Sequence, residues 1–153
     1  INWLKNINFK IKLHGHDCND RWPACRVTVN DTCNVMFDGE IRGETLIEFD
    51  VDVEDDSENK LVINYYNKDF RLDVVLDANG SIIKNKTIDI LDICVEDIDL
   101  NQIPYDKNTV EVYEEAYPQD LPRTRKNDME LSWNSTWTLE FSSPVYIWLL
   151  ENI

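Results

Sequence analysis

Ile47-Glu48-Phe49-Asp50-Val51-Asp52-Val53-Glu54 alternates apolar and acidic residues without a break. Successive side chains of a β-strand point to opposite faces. Ile47, Phe49, Val51 and Val53 therefore form a core-facing row, and Glu48, Asp50, Asp52 and Glu54 form a row of carboxylates facing water.

The same period extends in both directions. Upstream, Ile7, Phe9, Ile11 and Leu13 alternate with Asn8, Lys10 and Lys12. Val27 and Val29 alternate with Arg26 and Thr28, Asn30-Asp31 marks a turn, and Val35 and Phe37 read as the returning strand, with Asp38-Gly39 as the next turn. Downstream, residues 55–59 are polar and turn-like, and Leu61, Ile63 and Tyr65 restore the alternation. Phe70 to Leu76 predicts a further strand, closed by the turn signal Asp77-Ala78-Asn79-Gly80. Ile88 and Ile90, then Ile93 and Val95, continue the pattern with a phase slip at Leu91-Asp92 that predicts a β-bulge. Ile98 and Leu100 close this acidic strand.

Residues 101–128 break the period. Pro104, Pro118 and Pro122 interrupt a stretch with scattered aromatics, which predicts an extended loop, and loops of that length commonly contact a partner. Tyr105, Tyr113 and Tyr117 are its candidate partner-binding residues, because tyrosine is enriched at interface cores. Alternation resumes at Trp133, Trp137, Leu139 and Phe141. After Ser143-Pro144, the run Val145–Leu150 fits a short helix capped by Ser143 with Pro144 at its first position, or a final strand. Together these features predict one all-β domain over 1–153, an antiparallel, jelly-roll-like β-sandwich with a 101–128 excursion and a short C-terminal helix.

Composition narrows the function. The chain has 153 residues, 30 Asp and Glu against 15 Lys and Arg, and a net charge of −15. Nucleic acid and anionic membranes would be repelled. No apolar run approaches the ~20 residues that span a bilayer, and the sequence, starting at Ile1, shows no signal-peptide pattern. The two histidines share one loop, no serine sits in an elbow motif, and four glycines make no phosphate-cradling loop. Carboxylate-based glycan hydrolysis would need an acid raised by an apolar pocket, whereas the acids here alternate outward.

His14-Gly15-His16-Asp17-Cys18, with Cys25, offers zinc-type ligands but lacks paired spacing. Calcium is the better metal candidate, through Asp17, Asn19, Asp20 and Asp38, although such oxygen ligands also serve as ordinary turn chemistry. No cofactor is required by this reading. Cys18, Cys25, Cys33 and Cys94 form no C-x-x-C pair, and a Cys18–Cys25 bridge would close the loop around Trp22 and Pro23. Trp22, Tyr65 and Tyr66 are the candidate surface aromatics for stacking on sugar rings, with Trp137 and Trp148 assigned to the core.

Two stretches resemble known groups. Gly15 to Ile41, with Val27-Thr28-Val29-Asn30-Asp31 and Phe37-Asp38-Gly39-Glu40-Ile41, resembles small calcium-dependent carbohydrate-binding modules of β-sandwich fold. There a Gly-Asp-x-Cys loop precedes a Val-x-Val hairpin; here Gly15 is followed by His16-Asp17-Cys18. The ending from Leu131-Ser132-Trp133-Asn134 through Ser143-Pro144-Val145-Tyr146-Ile147-Trp148-Leu149-Leu150, together with Leu61 to Leu100, resembles small virion-associated proteins of contractile-tailed phages of marine cyanobacteria. That resemblance implies a non-enzymatic structural protein of the particle, in capsid decoration or the tail, assembled in a reducing host cytoplasm with free thiols and bound to other virion proteins. The first resemblance implies an alternative, a module binding host-surface glycans.

Overall fold

In chain order the elements are β1 (Leu4–His16), β2 (Ala24–Val29), β3 (Val35–Glu40), β4 (Gly43–Glu54), β5 (Glu58–Tyr65), β6 (Val74–Leu76), β7 (Ile82–Asn85), β8 (Thr87–Val95), β9 (Ile98–Asp99), α1 (Ile103–Lys107), β10 (Asn108–Val112), β11 (Thr124–Lys126), β12 (Glu130–Leu131), β13 (Ser135–Ser142) and α2 (Val145–Asn152). They come from a computed structural model that describes residues 3–153. Ile1 and Asn2, and with them the reading of the chain's start, lie outside the described residues.

Two antiparallel sheets form the sandwich. One runs β12-β8-β1-β4, with β9 paired to β8, and the other runs β11-β10-β13-β5-β2-β3. A separate ribbon, β6-β7, stands apart. The alternation dictates the packing. Ile7, Phe9, Ile11 and Leu13 of β1 are buried, as are Val27, Leu61, Ile63, Trp137 and Leu139 from the second sheet. Phe9 joins the layers: it stacks on Phe49 of β4 at 5.3 Å and meets the edge of Phe141 of β13 at 5.5 Å. Edge-on and offset rings at these distances place the positive rim of one ring against the negative face of the next.

β4 has the register its sequence demands. Glu48, Asp50, Asp52 and Glu54 are exposed, Ile47, Val51 and Val53 are buried, and Phe49 is half-buried beneath Phe9. Asn8 donates to both Glu48 and Asp50 across the β1–β4 pair, so the acidic row carries cross-strand hydrogen bonds. The bulge is also where the phase slip put it. Lys12 pairs with Asp92 and Leu13 with Ile90, which leaves Leu91 without an opposite number.

Two local expectations are corrected. Asp38-Gly39 is not a turn: both residues lie in β3, opposite Arg26 and Cys25. The chain reverses instead around Ile41–Gly43, where the Ile41 amide donates to the Pro23 carbonyl and Gly43 takes φ +65. Phe70 to Leu76 is a strand only from Val74, because the Leu72 and Asp73 amides both donate to the Asp69 carbonyl and coil residues 69–73 into a turn.

The 101–128 stretch is not wholly loop. It contains α1, β10 and β11, with irregular chain over 113–123. β10 lies between β11 and β13, burying Val110 and Val112 while Thr109 and Glu111 face out. Its alternation is only five residues long and sits between Pro104 and Pro118, which masks it. The final segment is a helix. α2 follows a cis Ser143–Pro144 bond, with Pro144 rather than Ser143 in the N-cap position.

Candidate functional site

The four metal candidates do not converge. Asp17, Asn19 and Asp20 belong to one tight turn, bridged by mutual Cys18 and Arg21 backbone bonds of 3.0 Å. Asp17 accepts from the Asp20 amide at 3.1 Å, and Asn19 accepts from the Lys84 ammonium at 2.9 Å. Asp38 lies on β3, where the Tyr66 hydroxyl donates to it at 2.7 Å and the Arg26 guanidinium at 3.2 Å. The Tyr66 hydrogen bond, aided by Arg26, holds the Asp38 carboxyl below its usual range, and the same bond pushes the Tyr66 phenol up to about 12. Among the described residues no group of three or more His, Cys, Asp and Glu is placed to hold a metal ion.

The zinc-type ligands diverge as well. The His14 and His16 rings lie 4.5 Å apart and tilted by 38°, His16 pairs with Asp89 at 2.7 Å, and Cys18 turns inward toward the Leu72 carbonyl. All four cysteines are free, and burial pushes the Cys25 thiol up to about 12.

The aromatic candidates separate by depth. Tyr66 is exposed, with Arg26 5.5 Å over its ring, and Trp22 is half-buried beneath Arg42. Tyr65 is not a surface residue: it is sealed in the core, where its hydroxyl donates to the Lys86 carbonyl at 2.7 Å. Burial, reinforced by Asp73, raises its phenol beyond the ordinary range. The signal was in the sequence, since Tyr65 continues the buried phase of Leu61 and Ile63, whereas Tyr66 breaks it. Of the excursion's tyrosines, Tyr105 and Tyr113 are exposed, but Tyr117 is buried edge-on against Trp133 at 5.3 Å and cannot meet a partner. Tyr113 closes over the sheet edge, donating to the Tyr65 carbonyl at 3.0 Å and accepting from Asn64 at 2.9 Å.

An apolar groove of about 620 Å³ lies at the α2 end of the sandwich, lined by Ile98, Leu100, Ile103, Tyr146, Leu149 and Leu150 and edged by Asp99 and Asp106. One face of α2 anchors the helix: Val145, Trp148 and Leu149 are buried, with Trp148 edge-on to Phe141 at 6.3 Å. Its other face stays in water although it is apolar. Tyr146, Ile147 and Leu150 are exposed, and so is Ile153 just past the helix end. The signal was present in the sequence as Val145-Tyr146-Ile147-Trp148-Leu149-Leu150, a run apolar on every side, which one packed face cannot absorb.

A charged cluster is buried beside β6-β7. Asp73, wholly inaccessible, pairs with Lys86 at 2.8 Å and with Arg21 at 2.7 Å, and accepts from the Asp69 amide at 2.7 Å. Burial alone would raise the Asp73 carboxyl, but the bonds from Lys86, Arg21 and the Asp69 amide outweigh it and hold the carboxyl low. Lys86 also donates to the Asn67 carbonyl at 2.6 Å. Lys68, a few residues away and 6% exposed, has no carboxylate in ion-pair contact among the described residues. Its ammonium donates to the Lys86 carbonyl at 2.8 Å and to the Asn85 amide oxygen. Burial, joined by repulsion from Lys86 and opposed by Asp73, brings its pKa down to about 8.

Among the described residues no helix is long and apolar enough to cross a membrane. The chain matches no protein-family model, no curated protein and no solved structure.

Proposed function

We propose that this protein is a non-enzymatic structural component of a virion, in capsid decoration or the tail, and that it is seated through the α2 groove. The observation that carries the docking part is the unpartnered apolar face of Tyr146, Ile147, Leu150 and Ile153 beside that groove. Contiguous exposed apolar surface on an otherwise acidic protein is costly in water and favours association. The virion part rests on the resemblance of the Leu131–Asn152 ending and the Leu61–Leu100 segment. The partner is another protein of the particle, and Asp99 and Asp106 at the groove's edge favour an apolar segment flanked by Lys or Arg. The net charge of −15 argues against nucleic acid and anionic lipid as partners.

The test is incorporation. Mass spectrometry of purified particles should find the full chain, and an Ile147→Asp, Leu150→Asp double variant should fold with unchanged melting temperature yet be absent from particles. Particles that lack the wild-type chain would end the virion reading, and normal incorporation of the double variant would move the docking surface elsewhere.

A second reading, glycan binding, draws on the outer face of the β11-β10-β13-β5-β2-β3 sheet. There exposed Tyr66 stands with Arg26 and Asp38 in one hydrogen-bonded group, and Asn64 with Tyr113 forms a neighbouring one. An aromatic ring beside fixed polar groups is the arrangement that stacks on a sugar and fixes its hydroxyls. Titration with host-surface polysaccharide, compared between wild type and Tyr66→Ala, tests it: binding lost in the variant supports the reading, and no binding by wild type removes it.

A further inference from the structure

We propose that Lys68 and Asn85 become joined by an intramolecular isopeptide bond, the Lys68 Nζ displacing the side-chain nitrogen of Asn85. The two groups are already in contact, Lys68 Nζ on Asn85 Oδ1, with Lys68 buried and Asn85 half-buried.

Both ends are held in place by other bonds. The Lys68 amide donates to Asn134 Oδ1 and Asn134 Nδ2 returns a bond to the Lys68 carbonyl, each at 2.8 Å. Asn85 ends β7, opposite Val74 in the ribbon, and the next amide, Lys86, donates to the Asp73 carbonyl at 2.9 Å. Fixing a nucleophile against its electrophile removes much of the entropic barrier to their reaction.

The electrostatics divide the two buried lysines. Lys86 takes the sealed carboxylate of Asp73 as its counter-ion. Lys68 is left with neutral oxygen acceptors, and burial, opposed by Asp73 and aided by Lys86, lowers its pKa to about 8. About a tenth of it is therefore the neutral amine at pH 7, with a lone pair free to attack, and the neutral form dominates above pH 8.

The step balances without a co-reactant. The Nζ lone pair forms a bond to Cγ of Asn85, and the bond from Cγ to Nδ2 breaks. One amine hydrogen leaves with Nδ2, so the products are a secondary amide and ammonia. The bond would tie the chain just before β6 to the last residue of β7, closing the ribbon into a covalent ring. That ribbon is a two-stranded element with exposed Leu76, Ile82 and Ile83, a kind that is marginal alone in water.

The experiment is a denaturing intact-mass measurement on the purified full chain, with and without prolonged incubation at about pH 9, where the Lys68 amine is mostly neutral. The expected mass is about 17 Da below the sequence mass, for one lost ammonia. A protease digest of the same sample should yield a branched peptide joining the segments that carry Lys68 and Asn85. Succinimide formation at Asn79-Gly80 also loses ammonia, but it would survive in Lys68→Arg and give no branched peptide. A full sequence mass in wild type after incubation overturns the proposal, as does a wild-type digest that yields no branched peptide. The wild-type digest decides the matter even where the variant fails to fold.

Discussion

The Lys86 ammonium and the Asp73 carboxylate meet at 2.8 Å with both side chains sealed from solvent. The pair pins the 66–73 segment to the strand junction between β7 and β8, and Arg21 adds a bond from the turn after β1. A buried pair is weak evidence of net stabilisation, but removing one member strands the other.

Asp73→Asn should therefore destabilise the fold by ~3–5 kcal/mol, measured by chemical denaturation. The pH dependence follows from the sign of the shift. The folded carboxyl is held below its ordinary value of 3.8, so its contribution is fully present above that value and is lost as pH falls through the lowered folded value. Acid titration of stability should show this loss in wild type and not in Asp73→Asn.

The β1–β4 register makes unequal demands on neighbouring positions. Phe9→Ala, which empties a fully buried site between two rings, should cost ~3–5 kcal/mol. Phe49→Ala should cost less because Phe49 is half-buried, and Asp50→Asn should stay within ~0.5 kcal/mol. Equal losses at Phe49 and Asp50 in urea melts would overturn the assignment of faces.

Gly15 is required by contact with neighbouring backbone. A Cβ there would lie 1.8 Å from the Ile41 carbonyl oxygen, so β1 and the chain after β3 could not keep their approach. Gly15→Ala should lower stability by ~3 kcal/mol or more, at the upper end of overpacking costs. A melting temperature equal to wild type would show that the approach can relax.

Replacement of 105–120 by a Gly-Ser linker should unfold the domain, since it removes the whole of β10 from between β11 and β13. Circular dichroism and a thermal melt check this directly. A folded, cooperative product would mean that the sheet closes without β10.

Period-two alternation was sufficient to determine the β class, the faces of β1, β4, β5 and β13, and the bulge at Leu91, because each strand buries one face and its side-chain period is local. Local pattern was enough for the burial of Trp137 and Trp148 as well. Tertiary structure alone decided the rest. Asp38 met Arg26 and Tyr66 through strand pairing rather than joining Asp17, and Tyr117 went inward because distant chain covered it. β10 became a central strand because β11 and β13 supplied its partners, and the groove appeared where α2, β9 and α1 meet at one end. Lys68, Asp73 and Lys86 lie in a polar stretch whose spacing signals nothing. Only the pairing of β6 with β7 and the turn at 69–73 bring their charges into one buried cluster. Such contacts are set by which surfaces the folded chain superposes, and a one-dimensional period carries no record of that.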